Sequence, residues 1–174
     1  MSDNSLIGLG AENMRLAIYI ANRPLNAQYP SLITLQPLVA GELQNIVANN
    51  SNHWRKVFNV FAKILWQIQW PQSTNNTASR WQDYRDQHLL QAHSYEALLF
   101  SPPDLEAPHI KIVAGKTYAA ALSLPPLKWL DAHFAVNKAH QLIVCPYLDY
   151  RQLSNERIAK LGVLIGEHLR GSVV

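Results

Sequence analysis

Residues 146–155 crowd Tyr147, Asp149, Tyr150, Arg151, Gln152, Ser154 and Asn155 behind a short apolar run that ends at Cys145. One loop therefore carries donors, acceptors and two phenol rings. Asp149 is the candidate acid/base, a carboxylate able to take a proton or orient a water. Arg151 offers a planar guanidinium that holds an anion through two parallel hydrogen bonds. Tyr147 or Tyr150 would stack on a planar ligand, and Asn155 adds an amide at the loop's end. The structural alternative is that Asp149 pairs with Arg151 or caps the loop, while the rings fill core edges.

Two further loops follow apolar runs in the same way. Gly115 and Lys116 come directly after residues 109–114. The spacing is not that of a P-loop, but a glycine-opened helix start presents free N–H groups that attract anions, and Lys116 adds charge. The alternative is a tight turn at Gly115 with Lys116 solvated. Asn22 and Arg23 follow residues 16–21 and open a loop containing Pro24 and Pro30; an ordinary surface turn is the competing reading there.

The histidines form no recognisable metal set. His88 and His93, on a helix, fall about 140° apart and would not share a face. His133 and His140 flank a turn, His109 begins a strand, and His168 borders the apolar side of the last helix. No H-E-x-x-H, G-x-S-x-G or G-x-G-x-x-G motif occurs. The lone cysteine, Cys145, excludes an intrachain disulfide and a cysteine zinc site; at a strand end it is expected to be buried and inert. No cofactor is expected.

The elements that must position these residues follow from periodicity. Residues 16–21 are a continuous apolar run, the pattern of a strand covered on both faces, and 109–114 and 141–145 read as strands in a C-terminal third that alternates as βαβ units do. Trp54, Val57, Phe58, Phe61, Ile64, Leu65 and Ile68 form one stripe at helical spacing, capped by Ser51 or Asn52 and ended by Trp70-Pro71. Trp66 lies off the stripe and either meets another element or sits exposed. Helices are expected over about 37–49, over 79–93 with Ser79 as cap, from Gly115 through Leu122, and from Ser154 or Asn155 to about 169. The apolar side of the last holds Ile158, Leu161, Leu164 and Ile165. Residues 72–77 read as a polar loop and 95–100 as either strand or helix end. Residues 130–136 read as a helical turn followed by an edge strand. Residues 1–13, polar and glycine-containing, are expected to be frayed, with one α/β domain over 14–174.

The chain of 174 residues is 48% hydrophobic and only 16% charged, with a formal net charge of +3. Such a chain can bury a substantial core, and it is not a disordered scaffold. Its charges are interspersed, so nucleic acid is only weakly indicated as a partner. No signal peptide and no run long enough to span a membrane is expected. The cytoplasm is the expected address.

Residues 108–116 and 144–155 resemble a family of short gammaproteobacterial proteins of unknown function, with no activity to carry over. A more distant resemblance is to the uracil-DNA glycosylase superfamily. It implies a three-layer α/β/α sandwich in which a loop after the first strand holds the water-activating residue. A later strand ends in glycine before a helix, and a last strand-end loop enters DNA. Residues 22–31, Gly115 with Lys116, and residues 146–155 take those places. The first loop offers Asn22 and Asn26 but no Asp, and Cys145-Pro146-Tyr147 stands where His-Pro-Ser is the pattern.

The sequence thus predicts an α/β fold, a three-layer α/β/α sandwich with a mainly parallel sheet. In such sheets ligands bind beyond the carboxyl ends of the strands, where Asn22, Arg23, Gly115, Lys116, Tyr147, Tyr150, Arg151 and Asn155 would hold a small anionic or nucleotide-like molecule. Asp149 would serve in any degenerate glycosylase-like or hydrolytic step. The rival expectation is a non-enzymatic module, a homodimer or partner-binding domain, using a face that includes Trp66.

Overall fold

The computed structural model describes residues 5–70 and 78–171. Eight strands form one sheet: β1 (Gly8–Gly10), β2 (Leu16–Tyr19), β3 (Leu35–Gln36), β4 (Glu96–Leu99), β5 (Ile110–Ala114), β6 (Lys128–Trp129), β7 (Ala135–Asn137) and β8 (Leu142–Cys145). The helices are α1 (Glu42–Asn49), α2 (Asn52–Gln67), α3 (Trp81–Gln87), α4 (Lys116–Ala121) and α5 (Asn155–Gly171). Spatial order is β3-β1-β4-β2-β5-β8-β7-β6. The centre, β4-β2-β5-β8, is parallel throughout, with Tyr19 opposite Leu99 and Val113, and Ala114 opposite Cys145. Antiparallel pairings join β1 to β4, β7 to β8 and β6 to β7.

The central strands form because their residues are mostly apolar on both faces. Leu16, Ile18, Ile112 and Ile143 face a core that includes Phe58, Phe61, Ile64 and Leu65 of α2, Tyr84 of α3 and Leu161 and Ile165 of α5. Ala17, Tyr19, Val113 and Val144 face a smaller cluster with Ala119 of α4 and Leu105, Leu122, Leu124 and Leu127. The α2 stripe is buried from Trp54 through Leu65, while Ile68 and Trp66 pack partly buried against the same core. Residues 96–99 resolve to a strand. Among the described residues no helix is long and apolar enough to cross a membrane.

Several expectations are corrected. The amino-terminal residues are not all frayed: β1 lies between β3 and β4, with Leu9 wholly buried. Its glycines permit this, since a Cβ on Gly8 would stand 2.2 Å from the Leu98 carbonyl oxygen and one on Gly10 2.5 Å from the Ala97 Cα. Helix α1 starts at Glu42, not near Pro37, because the Leu38 N–H is spent on the Leu90 carbonyl at 2.8 Å. Helix α2 stops at Gln67, where Gln69 takes a left-handed conformation (φ 51) that turns Trp70 back into the core.

Helix α3 is half the expected length, and Ser79 bonds the Asp83 carboxylate instead of capping it. Beyond Gln87 the chain folds inward at Leu90 (φ 62), which brings His88 Nδ1 within 2.8 Å of His93 Nε2. Residues 130–134 hold no helical turn; β6 and β7 form a hairpin there, and β6 rather than β7 is the sheet edge. The polar stretch 72–77 lies outside the described residues.

Candidate functional site

Because β2, β5 and β8 are parallel, the loops after them leave one edge of the sheet together. Gly115, at φ 109, donates its N–H to the Cys145 carbonyl at 2.9 Å and so ties two of these loops. The Tyr147 ring passes 3.7 Å from where a Cβ on Gly115 would sit. The Tyr147 hydroxyl then meets two side chains, Asn22 Nδ2 at 3.3 Å and His53 Nε2 at 2.6 Å. The imidazole and phenol rings lie 5.4 Å apart at 16°.

His53 belongs to the first turn of α2, and its protonation follows from where it sits. Burial lowers its pKa below the usual 6.5, Lys56 adds to this, and Asp149 opposes it. Burial also raises the Tyr147 phenol. At neutral pH the pair is therefore a neutral imidazole accepting from a protonated phenol, while the Asn22 amide donates to the phenol oxygen. This is an arrangement for sharing a proton or for bonding both edges of a polar ligand.

Asp149 is near enough to act electrostatically on both His53 and Tyr147. Its carboxylate accepts from the Arg151 N–H at 2.9 Å and from the Arg151 guanidinium at 3.3 and 3.1 Å, with Lys56 Nζ at 3.7 Å. The Arg151 hydrogen bonds hold its pKa down to about 2. A carboxylate held so low accepts protons poorly near neutrality, so the pairing alternative describes what Asp149 does in this structure. The Tyr150 ring is exposed, with Lys56 Nζ 5.3 Å from its centroid.

The remaining predicted residues are placed differently. Arg23 donates to the carbonyls of Tyr29 (3.4 Å), Pro30 (3.3 Å) and Leu32 (2.9 Å), and its guanidinium lies 5.6 Å from the Phe100 ring. It braces its own loop. Lys116 stands 4.9 Å from the Trp129 ring, at the β6 edge. Asn155 begins α5 and is exposed, while Ser154 Oγ accepts from Arg157 N. Cys145 is fully buried and its thiol is pushed up to about 12, so it is not a nucleophile.

Beside the Asn22–His53–Tyr147 group opens a pocket of about 600 Å³, lined by Asn22, Leu25, Asn49, Ser51, His53 and Trp54 among others. Its first-loop wall is latched to the α1–α2 junction by Asn50, which accepts from the Leu25 N–H at 2.9 Å and donates to Asn26 Oδ1 at 2.6 Å. His53 and Lys56 were not legible as site residues. They sit at the polar start of a helix whose evident signal is its apolar stripe, and only the packing of that helix start over the β8 loop brings His53 to Tyr147 and Lys56 to Asp149 and Tyr150.

Residues 7–166 match the family model of DUF6942, described as a family of unknown function. No curated protein and no solved structure matches the chain.

Proposed function

The chain belongs to DUF6942, a family of unknown function, and from its own residues we propose that it binds a small planar, nucleotide-like molecule in the pocket beside Asn22, His53 and Tyr147. One observation carries this reading: loops from two parallel strands and the start of α2 bring an amide, a neutral imidazole and a phenol into one hydrogen-bonded group at the mouth of a cavity. Amides offer paired donors and acceptors to heterocycle edges, and the half-buried rings offer a stacking wall. Arg23, which lines the same pocket, supplies charge for an anionic group. A glycosylase-like or hydrolytic step would take its base from His53, since pairing with Arg151 leaves the Asp149 carboxylate a poor proton acceptor. With α1, α2, α3 and α5 against one apolar cluster and α4 against the other, we read the architecture as a three-layer α/β/α sandwich, and the buried free thiol suits a cytoplasmic address.

The test is a thermal-shift screen of nucleobases, nucleotides, sugar phosphates and simple anions. A ligand at about 100 times its Kd adds roughly 2.7 kcal/mol, which moves the midpoint by about 5–10 °C for a domain of this size. The shift is expected to disappear in Tyr147→Phe, which keeps the ring and removes only the hydroxyl, and in His53→Gln. An equal shift in wild type and both variants would remove the site from the proposal.

A specific observation also favours the interaction-module reading. Leu25, Ile33 and Val39 are 83%, 76% and 66% exposed within one short stretch of chain. Scattered exposed aliphatics are ordinary, but large apolar patches mark interfaces. If this stretch closes a homodimer, light scattering gives twice the monomer mass and Ile33→Asp returns it to the monomer value. A wild-type mass of one chain at every concentration dismisses the homodimer.

A further inference from the structure

At the opposite ends of the parallel strands there is a second cavity. Lys138 and Gln141, around the 3-10 turn that leads into β8, and Glu167 and His168, near the end of α5, line a space of about 140 Å³. It lies where β8 begins, whereas the Tyr147 pocket lies where β8 ends. Gln141 takes a left-handed conformation (φ 52) and its N–H is fixed to the Lys138 carbonyl at 3.1 Å, so its backbone is set.

Two side-chain atoms of these lining residues are buried with no partner among the described residues: Gln141 Oε1 and His168 Nε2. His168 is only 7% exposed. Buried polar atoms in folded proteins nearly always carry a hydrogen bond, so two orphans on residues that line one cavity point to an occupant. The space far exceeds the roughly 10–15 Å³ that one water needs.

The chemistry of the lining selects the occupant. Gln141 Oε1 can only accept, so it requires an N–H or O–H. His168 is neutral at ordinary pH, because burial and the nearby Lys138 and Lys111 cations lower its pKa while Glu167 opposes them less. Its Nε2 can then donate one proton to a carbonyl. Lys138 and Glu167 balance one another in charge. A carboxylate would set lone pairs against Gln141 Oε1, and an ammonium would set a cation beside Lys138. A carboxamide avoids both conflicts, presenting N–H on one side and C=O on the other.

We propose that this cavity binds a small neutral carboxamide, its N–H donated to Gln141 Oε1 and its carbonyl accepting from His168 Nε2. The test titrates the intact protein with propionamide and with its near-isostere propionate, following the His168 ring resonances by NMR. Propionamide is expected to give a saturable shift in the millimolar range, within the ceiling for so few atoms, and propionate none. Gln141→Met, an unbranched change that keeps length and deletes the acceptor, is expected to weaken propionamide at least tenfold. Tyr147→Phe is expected to leave the titration unchanged, which separates this site from the strand-end pocket. Equal responses to the two compounds, or no saturable response because the cavity holds only ordered water, overturn the proposal. So does undiminished binding in Gln141→Met. Should that variant fail to fold, the amide–acid contrast on wild type decides alone.

Discussion

Glu96→Ala is expected to destabilise the fold by about 4 kcal/mol or more. The Glu96 side chain is wholly buried at the start of β4 and accepts four hydrogen bonds, from Tyr84 Oη (2.8 Å), Leu90 N (3.2 Å), Trp70 Nε1 (3.1 Å) and Tyr95 N (3.1 Å). Besides its neighbour Tyr95, these donors come from the segment just after α2 (Trp70), from α3 (Tyr84) and from the turn that follows α3 (Leu90), so one carboxylate fixes three segments to β4. Each donor left unpaired in the interior costs about 1–3 kcal/mol, though such costs do not add fully. Glu96→Gln keeps the shape but points an amide N–H at two donors, and about 2–3 kcal/mol is expected. Urea unfolding measures both.

The same residue gives a pH signature. Burial raises the Glu96 pKa from 4.5 to about 7 against the pull of its four donors. A carboxyl with a raised folded-state pKa contributes stability that is complete below 4.5 and is lost as pH rises through about 7. One pKa unit is about 1.4 kcal/mol, so the loss amounts to about 3 kcal/mol. His109 acts in the opposite direction: burial holds it down to about 4, so its contribution is lost as pH falls from 6.5. The difference between wild type and Glu96→Gln cancels the histidine. That difference is expected to shrink steadily between pH 4.5 and 7; a flat difference would contradict a raised Glu96 pKa.

Gly8→Ala is expected to cost about 3 kcal/mol or more and to expel β1 from the sheet. The new methyl would stand 2.2 Å from the Leu98 carbonyl oxygen and 2.8 Å from the Leu99 Cα, both backbone atoms that cannot yield without breaking the β1–β4 pairing. Overpacking of this kind usually costs 1–3 kcal/mol, and here the loss of β1 also uncovers Leu9. Amide exchange at residues 8–10 and at Leu98 should accelerate far more than exchange at the β5–β8 pairing. Gly166→Ala is the matched control: it lies in α5 with nothing within 4 Å of the new methyl, and a gain of about 0.5–1 kcal/mol is expected from helix propensity alone. Equal behaviour of the two variants would contradict the steric account of β1.

What was readable in the sequence and what was not divide along a physical line. The α2 stripe and the runs at 16–21, 109–114 and 141–145 were legible because local pattern and burial agree there. The meeting of Asn22, Gly115 and Tyr147 followed from parallel strands, and the structure brings those three together. Features set by tertiary contact were hidden. Gly8 and Gly10 read as a loose terminus because a strand needing bare backbone for close approach has the composition of a loop. Residues 79–93 read as one long helix because nothing local announces that Leu90 turns inward to give its N–H to Glu96. His88 and His93 looked divergent only on that assumed helix. His53 gave no signal, since its partner Tyr147 is 94 residues away.

The sheet is longest at its centre and ends on both sides in strands of two residues, Leu35–Gln36 and Lys128–Trp129. An edge so short offers few free backbone groups to another chain, and at one end Lys128 places a charge on it. Growth by strand addition, the route by which sheet proteins polymerise into fibrils, therefore has almost no template here. The protein should remain dispersed at high concentration even though nearly half its residues are hydrophobic, and any assembly it forms must use side-chain surface rather than open backbone.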